Sequence, residues 1–233
     1  MTIVKADQLS KKYPSKQALA PISFEISTGE CLVLCGGNGA GKSTLIHLLA
    51  ALSKPTTGTV VLDSTIPLKN RQAYVEHIGY MPDEFPSQLG MTVQEMLEFY
   101  AAYRPAASKA QVSFILNKIG LFDQRTTFIT SLSKGMRQRL LFGQALLGEP
   151  RLLLMDEPTN GLDPYWINEF LAIVKEMQAA GTSIIFSTHM MDVAADAGDT
   201  VLFMKEGKVI QEFQHINNKK KTTLDLLQLH RNA

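Results

Sequence analysis

A glycine-rich turn between a buried strand and a helix is the feature that most limits how this 233-residue chain can fold. Residues 31–35 form a continuous apolar run, CLVLC, which is typical of a strand buried in a parallel sheet. Residues 36–43 read GGNGAGKS and match the pattern G-x-x-x-x-G-K-[ST], and a helical pattern continues from Thr44 to Leu52. Strand, turn and helix in this order predict a phosphate-binding loop.

In such a loop, glycines allow backbone N–H groups to turn toward phosphate oxygens, and the helix N-terminus adds its positive dipole end. We expect Lys42 to place its charge on the β- and γ-phosphates of a nucleotide, and the Ser43 hydroxyl to coordinate Mg²⁺. The predicted nucleotide-binding residues are Gly36, Gly37, Asn38, Gly39, Ala40, Gly41, Lys42 and Ser43.

A second apolar run, residues 152–155, ends in two acids, Asp156 and Glu157. At the end of a buried strand that follows a phosphate loop, Asp156 is placed to hold Mg²⁺. Glu157 is placed where an attacking water must lie, and it can orient and deprotonate that water. Taken by itself, Glu157 also fits a helix-capping acid.

The pattern along the chain predicts an α/β fold in one domain, residues 1–233. Its core is a P-loop NTPase unit, a mostly parallel sheet with flanking helices. Residues 1–30 alternate with a period of two, which predicts an N-terminal antiparallel β region. The pattern over residues 91–148 predicts an inserted α-helical subdomain. Its first helix begins at a capping box, Thr92–Glu95, and ends at Arg104-Pro105. A second helix is predicted over 113–119, with a C-cap at Gly120. Residues 201–213 predict a hairpin.

The formal net charge is +1, and this near-neutral balance gives no electrostatic basis for nucleic-acid binding. No stretch approaches the roughly 18 apolar residues of a membrane-spanning helix, and no signal peptide is recognised. We therefore expect a cytoplasmic protein. Cys31 and Cys35 lie too far apart along a strand for a disulfide, so we interpret them as reduced core thiols. We interpret Lys219-Lys220-Lys221 as a solvated tail.

Three further motifs follow in a fixed order. Residues 132–139 read LSKGMRQR, where Ser133 is a good N-cap, Gly135 permits close backbone approach, and the helix start offers N–H groups to an anion. Residues 160–163 read NGLD, and residues 187–189, Ser-Thr-His, end the next predicted strand. In order and spacing these motifs, with GGNGAGKS and LLLMDE, resemble the ATP-binding cassette (ABC) family over most of the chain.

The resemblance implies a role for each matching residue. It assigns Lys42, Ser43 and Thr44 to phosphate and Mg²⁺, Asp156 to the metal, Glu157 to water activation, His189 to the γ-phosphate and Tyr13 to adenine. Taken alone, Tyr13 fits a core residue equally well. Ser133 and Gly135 are implied to contact the γ-phosphate of an ATP bound to a second ATP-binding subunit, so that each chain carries two half-sites. A dimer, of identical or closely related subunits, is therefore expected.

This sequence departs from the family pattern at several positions. Asp83 stands where the family usually has Gln, and it either reaches Mg²⁺ through water or leaves that role to Glu84. Residues 132–136, LSKGM, match the family's signature motif, but Lys134 and Met136 replace the Gly and Gln of its commonest form. Gly37 replaces a frequent Pro of the phosphate loop. The acidic residue at 83 and the LSKGM signature resemble the subfamily that exports drugs, lipids or polysaccharides.

The resemblance implies an ATP-hydrolysing motor subunit that sits on the cytoplasmic face of the cell membrane through a separate permease, with ATP and Mg²⁺ as cofactors and no nucleic-acid partner. The main alternative is a soluble ABC-type ATPase acting on nucleic acid or ribosomes, but the chain has neither sustained heptads nor cysteines between Ser43 and Leu132. A GTPase is disfavoured because residues 117–120, NKIG, lack the Asp of N-K-x-D. A non-hydrolysing cassette is disfavoured by the intact Glu157 and His189.

Overall fold

The computed structural model describes residues 1–84, 90–104, 106–214, 216 and 218–231. Its strands are β1 (Thr2–Tyr13), β2 (Lys16–Ser27), β3 (Cys31–Cys35), β4 (Thr57–Leu62), β5 (Ile66–Pro67), β6 (Ile78–Met81), β7 (Leu152–Met155), β8 (Ser183–Thr188), β9 (Thr200–Lys205) and β10 (Lys208–Gln214). Its helices are α1 (Lys42–Leu49), α2 (Arg71–Glu76), α3 (Val93–Ala101), α4 (Lys109–Lys118), α5 (Lys134–Leu146), α6 (Pro164–Ala179), α7 (Met191–Ala197) and α8 (Lys219–Arg231), with a short 3-10 helix at Ile129–Ser131. The predicted α/β fold is confirmed.

The larger sheet has six strands in the order β10-β9-β3-β8-β7-β6. All neighbours from β9 to β6 are parallel, and β9 and β10 form the predicted antiparallel hairpin. Every residue of β3, β7 and β8 is buried, which explains their continuous apolar runs. At the carboxyl edge, Cys35 pairs with Thr188 and Met81 pairs with Met155. The loops that follow these strands therefore meet at one edge of the sheet, where open α/β sheets bind ligands.

The smaller sheet has the order β2-β1-β4-β5 and is antiparallel, as the period of two at the N-terminus predicts. The strand β3 contributes to two hydrophobic cores. Leu32 and Leu34 pack with the small sheet and α1, whereas Cys31, Val33 and Cys35 pack with the helices on the other face. This alternation follows from the period of two along a strand.

The segment 91–148 contains α3, α4 and α5. The capping box of α3 is formed as predicted, because the Thr92 hydroxyl accepts the N–H of Glu95 at 3.3 Å and the Glu95 carboxylate accepts the N–H of Thr92 at 2.8 Å. Gly120 follows α4 with φ of 62°, as expected of a helix C-terminus. Buried residues of all three helices join the core beneath β3 and β7. Because that core is shared with the sheet, the division into an inserted subdomain stays a prediction.

Several local predictions differ from the structure. The helix after the phosphate loop begins at Lys42 rather than Thr44, and the short elements α2 and β5 were not predicted. The helix end expected at Arg104-Pro105 lies partly outside the described residues, which omit Pro105, and α3 itself ends at Ala101. The pattern also placed the start of α4 too late, since Ser108 caps this helix by accepting the N–H of Gln111.

The basic run that was interpreted as a solvated tail is the first turn of α8. Lys219 Nζ lies 3.3 Å from Asp196 Oδ1, and Leu226 is completely buried in the main core. The three lysine side chains are exposed, as expected, but the run is not a free tail, because α8 packs against α7. Cys31 and Cys35 are buried and free, as expected. In the part of the chain given above, no helix is both long enough and apolar enough to cross a bilayer.

Candidate nucleotide-binding and catalytic site

The turn between β3 and α1 forms the wall of a pocket of about 220 Å³. Gly36, Gly39 and Gly41 adopt φ of 150°, 76° and 100°. A Cβ on Gly36 would lie 2.2 Å from the carbonyl oxygen of Met204, and one on Gly41 would lie 2.8 Å from that of Ala18, so only glycine fits at these two positions. The pocket is lined by Lys16, Ala18, Asn38, Gly39, Ala40, Gly41, Lys42, Ser43, Thr44, Asp83 and Glu157.

The chemistry of this lining suits phosphate. Backbone N–H groups at the N-terminus of α1 and the ammonium group of Lys42 face an open space that a polyphosphate chain can enter. A larger cavity of about 880 Å³ lies near the amino ends of β7 and β8 and contains none of the phosphate-loop residues. The smaller pocket is therefore the candidate site, because its phosphate-loop lining can bind phosphate, whereas the larger volume of the other cavity carries no such groups.

Lys42 is only 6% exposed and is held by three oxygen atoms. Its Nζ donates to the carbonyl oxygens of Gly36 at 2.7 Å and Gly37 at 3.2 Å, and it lies 3.3 Å from Glu157 Oε1. Burial raises the pKa of the neighbouring Cys35 thiol to about 12, so that thiol stays protonated and does not compete for the ammonium group. Lys42 is thus held in place at the pocket, where its ammonium group can meet phosphate.

Glu157 links Lys42 to His189. Its Oε2 lies 2.8 Å from His189 Nδ1, while its Oε1 faces Lys42. The backbone of Glu157 has φ of 47°, a left-handed conformation that is uncommon for a residue with a side chain. Two contacts hold it there: its N–H donates to Ser187 Oγ at 2.9 Å, and its carbonyl accepts from Gln138 Nε2 at 3.0 Å. The carboxylate is fixed at the pocket and can accept a proton from a water there.

Oxygen atoms suited to Mg²⁺ lie beside this group. Ser43 Oγ is 3.1 Å from Asp156 Oδ1, and the same Asp156 oxygen accepts a bond from Ser187 Oγ at 2.5 Å. Asp156 is 3% exposed, and among the residues that the structure describes no cluster of three or more His, Cys, Asp or Glu could hold a metal alone. One hydroxyl and one carboxylate fit Mg²⁺, which usually keeps waters and takes the rest of its ligands from substrate phosphates.

Asp83 also lines the pocket, and its Oδ1 accepts a bond from Asn160 Nδ2 at 3.2 Å. Ser133 and Gly135 begin α5, where the Ser133 hydroxyl accepts the N–H of Met136 at 3.2 Å. Neither of them lines the phosphate pocket of its own chain.

Tyr13 lies at the end of β1, 45% exposed, with Lys11 Nζ over its ring at 5.0 Å. The lining residues nearest in sequence are Lys16 and Ala18 of β2, so the adenine contact of Tyr13 stays a prediction. Four residues have no role in the sequence-based expectations: Lys16 lines the pocket, whereas Gln138, Asn160 and Ser187 lie outside it and hydrogen-bond to Glu157 or Asp83, which do line it. Ser187 was visible only as the residue that precedes Thr188 and His189 at the end of a buried strand.

Comparison with known proteins identifies the family. Residues 19–160 match the family model described as ABC transporter. The arginine transport ATP-binding protein ArtM of Bacillus subtilis is 33% identical over 218 residues, which cover 90% of each chain. The Nod factor export ATP-binding protein I of Rhizobium etli is 33% identical over 216 residues, which cover 91% of this chain and 68% of that protein. A solved ATP-binding subunit of an ABC transporter is 27% identical with a TM-score of 0.83, covering 97% of this chain and 100% of the other.

The chain therefore belongs to the ABC transporter family and is an ATP-binding, ATP-hydrolysing subunit. ATP-binding subunits of this family act with membrane permeases and form dimers. The relatives give no support to the alternative role on nucleic acid or ribosomes. The N-K-x-G segment that begins like a guanine-binding motif lies at the end of α4 and contributes nothing to the pocket lining.

Proposed function

We propose that this chain is one of two ATP-hydrolysing subunits that dock on the cytoplasmic side of a membrane permease and drive export. ATP binding closes the two subunits on each other, and hydrolysis with product release reopens them. The observation that carries the proposal is the cluster of Lys42, Glu157 and His189 at the phosphate loop, because it joins phosphate binding to a base in one connected set of contacts.

The chemistry at one site follows from these contacts. The phosphates of ATP attract Lys42 away from the Glu157 carboxylate, which frees one carboxylate oxygen. That oxygen takes a proton from the attacking water, while His189 holds the other oxygen and orients the side chain. Ser43 and Asp156 are the residues that would hold Mg²⁺, with Asp83 close by at the same pocket. The bound ion would offset negative charge on the β- and γ-phosphates.

A shared site in the dimer is supported by the position of the signature turn, which is residues 132–136 at the start of α5. Ser133 and Gly135 begin α5 with N–H groups available at a helix N-terminus, yet they lie outside the phosphate pocket of their own chain. An ATP bound to the second subunit would use those groups. Each active site would then combine the phosphate loop of one chain with the signature turn of the other.

A groove of about 620 Å³ between α2, β6 and α3 is the proposed dock for a helix of the permease. Phe99 and Tyr103, which are 45% and 73% exposed, present aromatic faces there with their ring centroids 5.3 Å apart. Exposed aromatic rings of this kind are common anchors in protein interfaces.

Hydrogen bonds hold the base of the groove together, and β6 connects it to the active site. The Arg104 guanidinium donates to the carbonyls of Val75 at 3.1 Å and Ile78 at 2.7 Å, and thereby ties the end of α3 to β6. Tyr80, also in the groove, has its pKa raised to about 12, chiefly by burial and further by Asp156 and Asp83, so its hydroxyl stays protonated. The strand β6 then leads directly to Asp83 in the phosphate pocket, so movement of the dock can reach the site.

Export is the proposed direction of transport. Support comes from the acidic residue at position 83, from the LSKGM signature and from the relative in Rhizobium etli whose name includes Nod factor export. The permease chooses the cargo.

The docking proposal is tested with the chain and its co-purified permease in lipid vesicles. Tyr103→Ser should lower permease-stimulated ATPase activity at least about fivefold, the loss expected of an interface anchor, and leave basal activity within about twofold. Phe114→Ser is the matched control, because Phe114 is 60% exposed on α4 outside the groove. If both variants keep full stimulation, or both lose it equally, the groove is not the dock.

A further inference from the structure

Two of the departures from the family pattern meet at one side chain. The amide of Asn160 donates through Nδ2 to Asp83 Oδ1 at 3.2 Å, and its Oδ1 accepts from Lys134 Nζ at 3.5 Å. Asp83 replaces the usual Gln, and Lys134 replaces the usual Gly of the signature turn. A carboxylate on one side and an ammonium on the other also fix the orientation of the amide, since the reversed amide would place like partial charges together.

The signature turn is packed against the same segment. The aliphatic chain of Lys134 crosses Gly161, where a Cβ would lie 2.9 Å from Lys134 Cδ, and Gly161 has φ of 80°. A Cβ on Gly135 would lie 2.9 Å from the carbonyl oxygen of Gly161. Packing against Gly161 therefore fixes the position of Lys134 beside Asn160, in addition to the contact between its Nζ and Asn160 Oδ1.

The segment that carries Asn160 begins at the catalytic base. The N–H of Asn160 donates to the carbonyl of Glu157 at 3.0 Å, and that carbonyl also accepts from Gln138 of α5. One short turn therefore connects three parts of the chain: the base, the loop of Asp83 at the end of β6, and the first turn of α5.

We propose that Asn160 is a positioning residue that sets the signature turn relative to the loop of Asp83, and so transmits the state of the permease dock to the signature turn. This role rests on the shared-site dimer proposed above, in which that turn serves the ATP of the second subunit. Because Asp83 follows β6, which borders the dock, a shift of this loop moves Asn160 and with it Lys134. The neighbouring Ser133 is then presented in a changed position.

The first test separates positioning from binding. Asn160 does not line the phosphate pocket. Asn160→Ala should therefore lower kcat for ATP hydrolysis roughly tenfold, as expected for lost hydrogen bonds to charged groups, and leave the Kd for ATP within about twofold. Asn117→Ala is the matched control, because Asn117 is exposed and its side chain donates to the carbonyl of Ser113, away from Asp83 and Lys134. An unchanged kcat, or a loss confined to Kd, overturns the proposal.

The second test exchanges the two partners. Asn160→Asp places two carboxylates at the 3.2 Å contact and should lower kcat more than Asn160→Ala does. Adding Asp83→Asn restores one donor and one acceptor and leaves a carboxylate facing Lys134. Because Asp83 lines the phosphate pocket, Asp83→Asn alone is the reference: the double variant should exceed Asn160→Asp in kcat and approach Asp83→Asn. A double variant as slow as Asn160→Asp alone overturns the proposal.

A separate measurement distinguishes failure of the proposed role of Asn160 from failure of the shared-site dimer on which it rests. A mixture of a Lys42→Ala chain with a Ser133→Arg chain tests the shared site without touching Asn160. If that mixture is inactive, the proposed function falls. If the mixture is active and the exchange fails, only the role of Asn160 falls.

Discussion

Substitution of Glu157 by Gln separates binding from hydrolysis at this site. The change keeps the length of the side chain and an oxygen near His189, but it removes the basic carboxylate 3.3 Å from Lys42 Nζ. Loss of a positioned base lowers the hydrolysis rate by about 10²-fold to 10⁴-fold, which corresponds to at least about 2.7 kcal/mol of barrier. ATP binding should hold or become stronger, for two reasons. Lys42 no longer has to leave a carboxylate, and the γ-phosphate no longer approaches one.

The magnitude of the binding gain follows from that ion pair. Lys42 is 6% exposed and Glu157 is 13% exposed, so the pair is little screened by solvent. In the parent chain, ATP has to break this ion pair, at a net cost of about 1 kcal/mol once phosphate has replaced the carboxylate as the partner of Lys42. Glu157→Gln removes this cost, so its Kd for ATP should be roughly fivefold lower.

The assay has two readouts. Titration with a fluorescent ATP analogue gives Kd, and single-turnover phosphate release gives the rate of hydrolysis. Glu206→Gln is the matched control, because Glu206 also has a left-handed backbone, with φ of 51°, and is exposed in the turn between β9 and β10. A Glu157→Gln rate within about twofold of the parent chain, where general-base loss should exceed 10²-fold, refutes the role of base. A Kd raised tenfold or more refutes the account of Lys42, since one tenfold step is about 1.4 kcal/mol.

Two further predictions concern the metal and the turn near the signature. Ser187→Ala removes the hydroxyl that donates to Asp156. Because losing a bond that orients a metal ligand usually costs about tenfold in metal affinity, the Mg²⁺ concentration for half-maximal hydrolysis should rise about tenfold. A Mg²⁺ titration of the ATPase rate that superimposes on the parent curve contradicts this role. Gly161→Ala should lower the free energy of unfolding by about 1–2 kcal/mol, because φ is 80° and the added Cβ meets Lys134. Gly90→Ala is its control in urea denaturation, because a Cβ there meets no atom of the described residues within 4 Å, and equal stability of the two variants would exclude the strain.

Much of the site could be predicted from sequence because its parts are local. The phosphate loop is a contiguous segment whose glycines are required by backbone conformation, as Gly36 and Gly41 illustrate. Asp156, Glu157 and His189 each follow a buried strand, and parallel strands bring their carboxyl ends to one edge. A strand pattern together with the topology rule therefore predicts that these residues come together.

The residues that were missed depend on contacts between distant segments. Asn160 meets Asp83 across 77 positions of sequence, and nothing in the local pattern NGLD distinguishes an amide that bridges two loops from one that faces solvent. The basic run at 219–221 reads as a polar tail until Asp196 of α7 is placed beside it. The helix α2 lacks a side-chain cap at Asn70 and is short, so neither of the usual signals for a helix was present.

The shared site is the central claim, and ATPase activity of mixed dimers tests it most directly. One chain carries Lys42→Ala and the other carries Ser133→Arg, and two affinity tags isolate the heterodimer. Each homodimer should be inactive, whereas the heterodimer retains one composite site with both groups intact and should recover activity. A chain with both substitutions, paired with a parent chain, has one defect in every composite site and should stay inactive. The reverse order, with the first heterodimer inactive and the second active, would mean that Lys42 and Ser133 act on the same ATP within one chain, and it would contradict the account.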